Sequence, residues 1–178
     1  MRYRELSLAG AFVIELDVIS DHRGFFARTW DGRDLEAHGL VGEIAQCNVS
    51  YNVKRGTVRG LHFQRPPHEE VKLVRCTRGA VVDFIVDIRP GSPTLLRWES
   101  VELTAENRLT LYVPRGFAHG YQTLVDDTEI SYQVSEYYHP ESEGTILWSD
   151  PEIGIQWPVA EVTISEKDRS ARPFSAAR

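Results

Sequence analysis

Short runs rich in Val, Ile, Thr, Phe and Tyr, several with apolar and polar positions alternating, recur along the chain, cut by clusters of Gly, Pro, Asn and Asp. A period of two places successive side chains on opposite faces of a strand, so the runs predict strands over 11–17, 44–50, 58–64, 71–76, 80–87, 97–103, 108–113, 118–124 and 128–134. Turn-forming residues at 77–79, 89–93, 114–116 and 126–127 fall between neighbouring runs, as antiparallel hairpins require. Helical signals are confined to 34–38 before Gly39 and to a turn after Ser165. The pattern is that of an all-β sandwich or barrel with short peripheral helices.

Length and charge narrow the function. A chain of 178 residues with 42% hydrophobic and 26% charged positions suits one domain spanning 1–178. A net charge of −6 argues against a nucleic-acid partner, and any anionic ligand must meet a local cationic cluster. Cys47 and Cys76 are too few for a disulfide scaffold, which fits a reducing cytoplasm. Arg2 and Arg4 before an apolar stretch superficially resemble a signal peptide, but Glu5 interrupts the basic region and Glu15 and Asp17 stand where a small-residue cleavage site belongs. The apolar run 80–88 is broken by Asp83 and Asp87, so no membrane span is expected.

Candidate chemistry gathers in polar residues at inward strand positions. Lys72 shares a face with Val74 and Cys76, so it lies either on an edge strand or in a pocket where an anion or carbonyl awaits it. His62 and Gln64 share a face, and Arg59 joins them only if Gly60 marks a bulge. Tyr132 reads equally as a core tyrosine or as a proton donor, and Asp168 fits the spacing of a capping box begun by Ser165. The segment 114–120 (PRGFAHG) resembles the second motif of metal-binding cupins, yet Gln64 stands where a second upstream histidine belongs. A metal alternative therefore needs His62, His68, Glu69 and His119 together.

Eight segments in order, 21–26 (DHRGFF), 46–50 (QCNVS), 58–62 (VRGLH), 72–75 (KLVR), 86–89 (VDIR), 114–120 (PRGFAHG), 148–151 (WSDP) and 164–168 (ISEKD), resemble the dTDP-4-dehydrorhamnose 3,5-epimerase family over almost the whole chain. The resemblance implies a cupin-like jelly roll, or double-stranded β-helix, with no metal or cofactor. It implies a homodimer in which the N-terminal part of one subunit borders the other's site. It also implies a dTDP-linked 4-keto-6-deoxy sugar as substrate, epimerised through an enolate. By position, His62 matches the general base, Asp168 its orienting carboxylate, Tyr132 the acid and Lys72 the cation beside the ketone. Arg23, Phe26, Gln46, Asn48, Arg59, His119, Glu143 and Lys167 match positions that hold the sugar, diphosphate or base, and Tyr138 matches the residue that stacks on the base. The sequence departs from the pattern at Arg28, where the family commonly carries a substrate-contacting glutamate.

Overall fold

The alternating runs pair into two facing antiparallel sheets, and the computed structural model describes residues 1–177. One sheet runs in the order β1 (Arg2–Glu5), β2 (Phe12–Glu15), β10 (Thr110–Val113), β7 (Lys72–Arg78), β12 (Thr128–Val134) and β5 (Gln46–Asn52). The other runs β13 (Glu143–Thr145), β6 (Thr57–Gln64), β11 (Phe117–Thr123), β8 (Ala80–Asp87) and β9 (Trp98–Thr104), with β14 (Thr163–Ile164) parallel to β6. A separate hairpin joins β3 (Ile19–Asp21) to β4 (Gly24–Phe26). The helices are short: α1 (Gly32–Ala37), α2 (Glu166–Arg169) and α3 (Phe174–Ala177). This is the cupin-like jelly roll, and among the described residues no helix is long and apolar enough to cross a membrane.

The strands missed by the period-two pattern are the ones with little to bury. β1 is Arg-Tyr-Arg-Glu, an edge strand defined by its ladder to β2 rather than by an apolar face. The β3–β4 hairpin is exposed at every position, so no alternation marks it. Conversely, β11 is buried throughout because side chains cover both faces of its sheet there. Val13, Val74, Leu111 and Ile130 from one sheet meet Val81, Ile85 and Leu103 from the other in the main core. A second cluster, including Leu61, Phe84, Val86 and Ile146, packs on the far side of the β6–β11–β8 sheet beneath Phe174.

One irregularity shapes the interior. Between β6 and β11, His62 pairs with His119 but Arg59 pairs with Tyr121, so β6 carries one residue more than its partner and bulges at Gly60–Leu61. Gly60 has φ +130, and a Cβ there would lie 2.6 Å from the Cα of Gly120. Gly60→Ala should therefore lower stability by roughly 2–4 kcal/mol, from backbone strain plus overlap with β11. Urea unfolding measures this, and a midpoint equal to the wild type would show that β6 and β11 can part without cost.

Candidate active site

The bulge at Gly60 turns both Arg59 and His62 toward the space between the sheets, where a polar cleft opens. It comprises two adjoining cavities of about 350 and about 390 Å³ that share His62, Lys72 and Tyr132 in their walls. Arg59, His119, Tyr121 and Ser50 complete the first, and Gln46, Asn48, Glu70, Tyr138 and Glu143 complete the second. A larger depression of about 880 Å³ lies elsewhere, lined by Arg28, Trp30 and Glu136 among others. The smaller pair holds His62, His119, Lys72 and Tyr132.

His62 Nε2 stands 2.7 Å from Asp168 Oδ1. Asp168 is buried, with Oδ2 accepting from the Gly60 amide at 3.4 Å, so the carboxylate is held on both oxygens. Burial pushes its pKa up, but the hydrogen bond from His62 and the charge of that ring outweigh it and leave the carboxyl below its usual range. Helix α2 explains how the aspartate gets there. Ser165 caps the helix by accepting from the Asp168 amide at 3.1 Å, which leaves the Asp168 carboxylate to face the histidine. The cap and the dyad thus use different atoms of one residue.

Lys72 sits on β7, an interior strand of its sheet, so the edge-strand alternative does not apply. Its side chain is 12% exposed and forms a 3.0 Å ion pair with Glu70. Tyr132, on the neighbouring β12, has its pKa raised first by burial and then by the Glu70 charge, with Arg59 pulling the other way. It is therefore protonated at neutral pH. His62 and Tyr132 belong to opposite sheets and border the same space.

A chain of contacts marks the outer end of the cleft. Lys167 Nζ meets Glu143 Oε1 at 2.6 Å, Tyr138 donates from its hydroxyl to Glu143 Oε2 at 3.1 Å, and the Tyr138 amide donates to Gln46 Oε1 at 2.8 Å. Tyr138 is 56% exposed, leaving its ring open for a flat ligand to stack on. Arg59 Nε donates to Asn52 Oδ1 at 2.8 Å, which holds the guanidinium at the cleft wall.

The family model for dTDP-4-dehydrorhamnose 3,5-epimerase matches residues 5–176. A protein of that name from Methanothermobacter thermautotrophicus is 44% identical over 176 residues, covering 97% of this chain and 94% of the relative. The chain belongs to this family. The structure of the Bacillus anthracis dTDP-4-dehydrorhamnose 3,5-epimerase, solved with TDP and PPi bound, superposes with a TM-score of 0.94 at 40% identity, covering 97% of this chain and 99% of that one. A dTDP-6-deoxy-D-glucose-3,5-epimerase from Legionella pneumophila, in complex with dTDP-4-keto-L-rhamnose, gives a TM-score of 0.94 at 35% identity, covering 99% and 94%.

The epimerase fold gathers His62, Asp168, Lys72, Tyr132, Gln46, Asn48, Arg59, His119, Tyr138, Glu143 and Lys167 around one cleft. It does not bring three other expected residues there within one chain. Arg23 pairs with Asp21 in the exposed β3–β4 hairpin, Phe26 is 63% exposed on the same hairpin, and Arg28 pairs with Asp31 at 3.2 Å beside the separate depression. Nor does it assemble the alternative metal set. His68 and Glu69 are absent from both cavity walls, and Glu69 borders an apolar cavity with Phe63 and Phe174 instead.

Two carboxylates lie outside the motifs, Glu70 in the cleft wall and Asp83 buried behind His119. Glu70 lies in the loop before β7 and was marked by no strand period. Asp83 was noticed only for interrupting an apolar run. It is fully buried, its Oδ1 is 2.8 Å from His119 Nε2 without an aligned hydrogen bond, and burial pushes its pKa up against the pull of His119 and then Lys72. An acid at an inward position of a strand otherwise apolar was the available signal.

Proposed function

We propose that this protein epimerises a dTDP-linked 4-keto-6-deoxy sugar at C3, C5 or both, without a metal or cofactor in the chemical step. The observation that carries the reading is His62 on one sheet, paired with Asp168 of α2, bordering the same cavity as Tyr132 and Lys72 on neighbouring strands of the other sheet. His62 removes the proton beside the ketone, and Asp168 holds the ring in the tautomer that presents a basic nitrogen and steadies the imidazolium that results. Negative charge then grows on the ketone oxygen, where the Lys72 ammonium stabilises it. Tyr132 returns a proton from the opposite face, which inverts the carbon. Inversion needs an acid and a base on opposite sides, and two facing sheets supply them.

Binding follows the same layout. Arg59 suits a diphosphate because a guanidinium fork pairs with phosphate oxygens two at a time. Tyr138 offers its ring to the thymine, and Lys167 with Glu143 frames the nucleotide end. The exposed β3–β4 hairpin, with Arg23 and Phe26, reads as the arm of a cytoplasmic homodimer that reaches the partner's cleft, and Arg28 travels with it. The ligands named for the Bacillus anthracis and Legionella pneumophila structures support this substrate class.

Incubating the protein with dTDP-4-keto-6-deoxyglucose in deuterium oxide should place deuterium at C3, C5 or both, with an epimerised product visible by NMR. Absence of label at both carbons sinks the reading.

Glu70 enters the same chemistry through Tyr132. Its negative charge raises the tyrosine's pKa, so Glu70→Gln should lower that pKa, and the alkaline limb of the kcat profile should move to lower pH as the acid is lost sooner. A profile that stays in place would remove Glu70 from the electrostatics of the acid.

A further inference from the structure

We propose that His68, Glu136 and His139 form a divalent-metal site, with Zn²⁺ the ion their donors suit best, outside the cleft that holds His62. The three side chains are each half-buried and offer ligand atoms that all lie within 4.8 Å of one another. Two imidazole nitrogens and one carboxylate oxygen are a donor set that zinc takes in tetrahedral sites with a water in the fourth position.

The donors come from two loops already fastened to each other. Gln64, at the end of β6, donates from its amide nitrogen to the His68 carbonyl at 3.0 Å and to the Tyr137 carbonyl at 3.1 Å. Its amide oxygen accepts from the His139 backbone at 2.7 Å. One buried side chain thus holds the backbone at both histidines, so little chain entropy remains to be lost when an ion binds.

His139 also has the outer partner that metal-bound histidines require. Its Nδ1 lies 3.0 Å from Glu141 Oε1, so the carboxylate keeps the proton on Nδ1 and leaves the Nε2 lone pair for a metal. Glu136 and Glu141 together offset the charge of a divalent cation. The two imidazoles are stacked, with centroids 3.5 Å apart and planes 10° from parallel. Their lone pairs therefore run side by side, and ligation turns the rings to a common point by side-chain rotation while the Gln64 contacts stay in place. The consequence reaches the cleft, because the same two loops carry Glu70 and Tyr138, which line it. Zinc at this point would clamp the loops that wall the nucleotide end.

The test uses the full-length protein stripped with chelator and titrated with Zn²⁺ alone by calorimetry, with Co²⁺ as a spectroscopic stand-in. The expected result is one ion per chain with a Kd of about 1 μM or tighter, a visible Co²⁺ absorption band, and a Tm that rises with added zinc. His68→Gln and His139→Gln should each abolish the Co²⁺ band and the rise in Tm, and Glu141→Gln should weaken binding by roughly 10–100-fold. His62→Ala should bind zinc as the wild type does. The proposal is overturned if the wild type takes up no zinc at about 100 μM, if a His68→Gln/His139→Gln double variant binds equally well, or if binding is lost in His62→Ala.

Discussion

His62→Ala should lower both the exchange of substrate protons with solvent and the formation of epimerised product by roughly 10²–10⁴-fold, the usual contribution of a positioned general base. The fold should survive, because the side chain is 34% exposed and its main partner, Asp168, keeps the Gly60 amide and the helix cap of Ser165. Binding of dTDP should change only a few-fold, since Tyr138, Lys167 and Arg59 are untouched. Exchange rates by NMR in deuterium oxide, beside dTDP titration of the same variant, make the distinction. Wild-type exchange in the variant would place the base elsewhere, whereas joint loss of exchange and binding would show a collapsed cleft.

Tyr132→Phe should separate two steps that the wild type performs together. The substitution removes one hydroxyl from a half-buried ring that otherwise packs against the main core, so stability should move by no more than about 1–2 kcal/mol. His62 still takes the proton, so deuterium still enters at the carbon beside the ketone. Without an acid on the opposite face, the enolate is reprotonated from the side it came from. Inverted product should fall by about 10²-fold or more while exchange falls far less. Equal loss of exchange and inversion would mean that the tyrosine acts before or during proton removal, and unchanged inversion would mean that another group delivers the proton.

These expectations rest on different depths of information. The nine strand runs, the turns between them and the all-β class were legible because β-branched and aromatic residues gather in short runs cut by turn formers, with alternation added where a strand is half-buried. What alternation did not mark were β1, the β3–β4 hairpin, β13 and β14, which are held by backbone ladders at edges or in solvent. Lys72 shows the limit within the site. Its sequence neighbours left open an edge or a pocket, and only the order β10–β7–β12 settles that the strand is interior. Asp168 shows another, since its spacing from Ser165 offered a helix cap and the family resemblance a carboxylate beside His62, and the folded chain uses the Ser165 side chain for the cap while the aspartate carboxylate meets His62.

The residues alone determined the period-two architecture, the acidic balance that confines anion binding to local cationic groups, and the ordered motifs that mark the family. Tertiary structure decided the rest: that the Gly60 bulge aims Arg59 and His62 into one space, that Tyr132 faces His62 from the other sheet, and that Glu70 rather than solvent meets Lys72. The physical reason is range. Alternation and turn chemistry act within a few residues of chain, whereas His62 and Asp168 lie 106 positions apart and meet only because β6 and α2 are packed together.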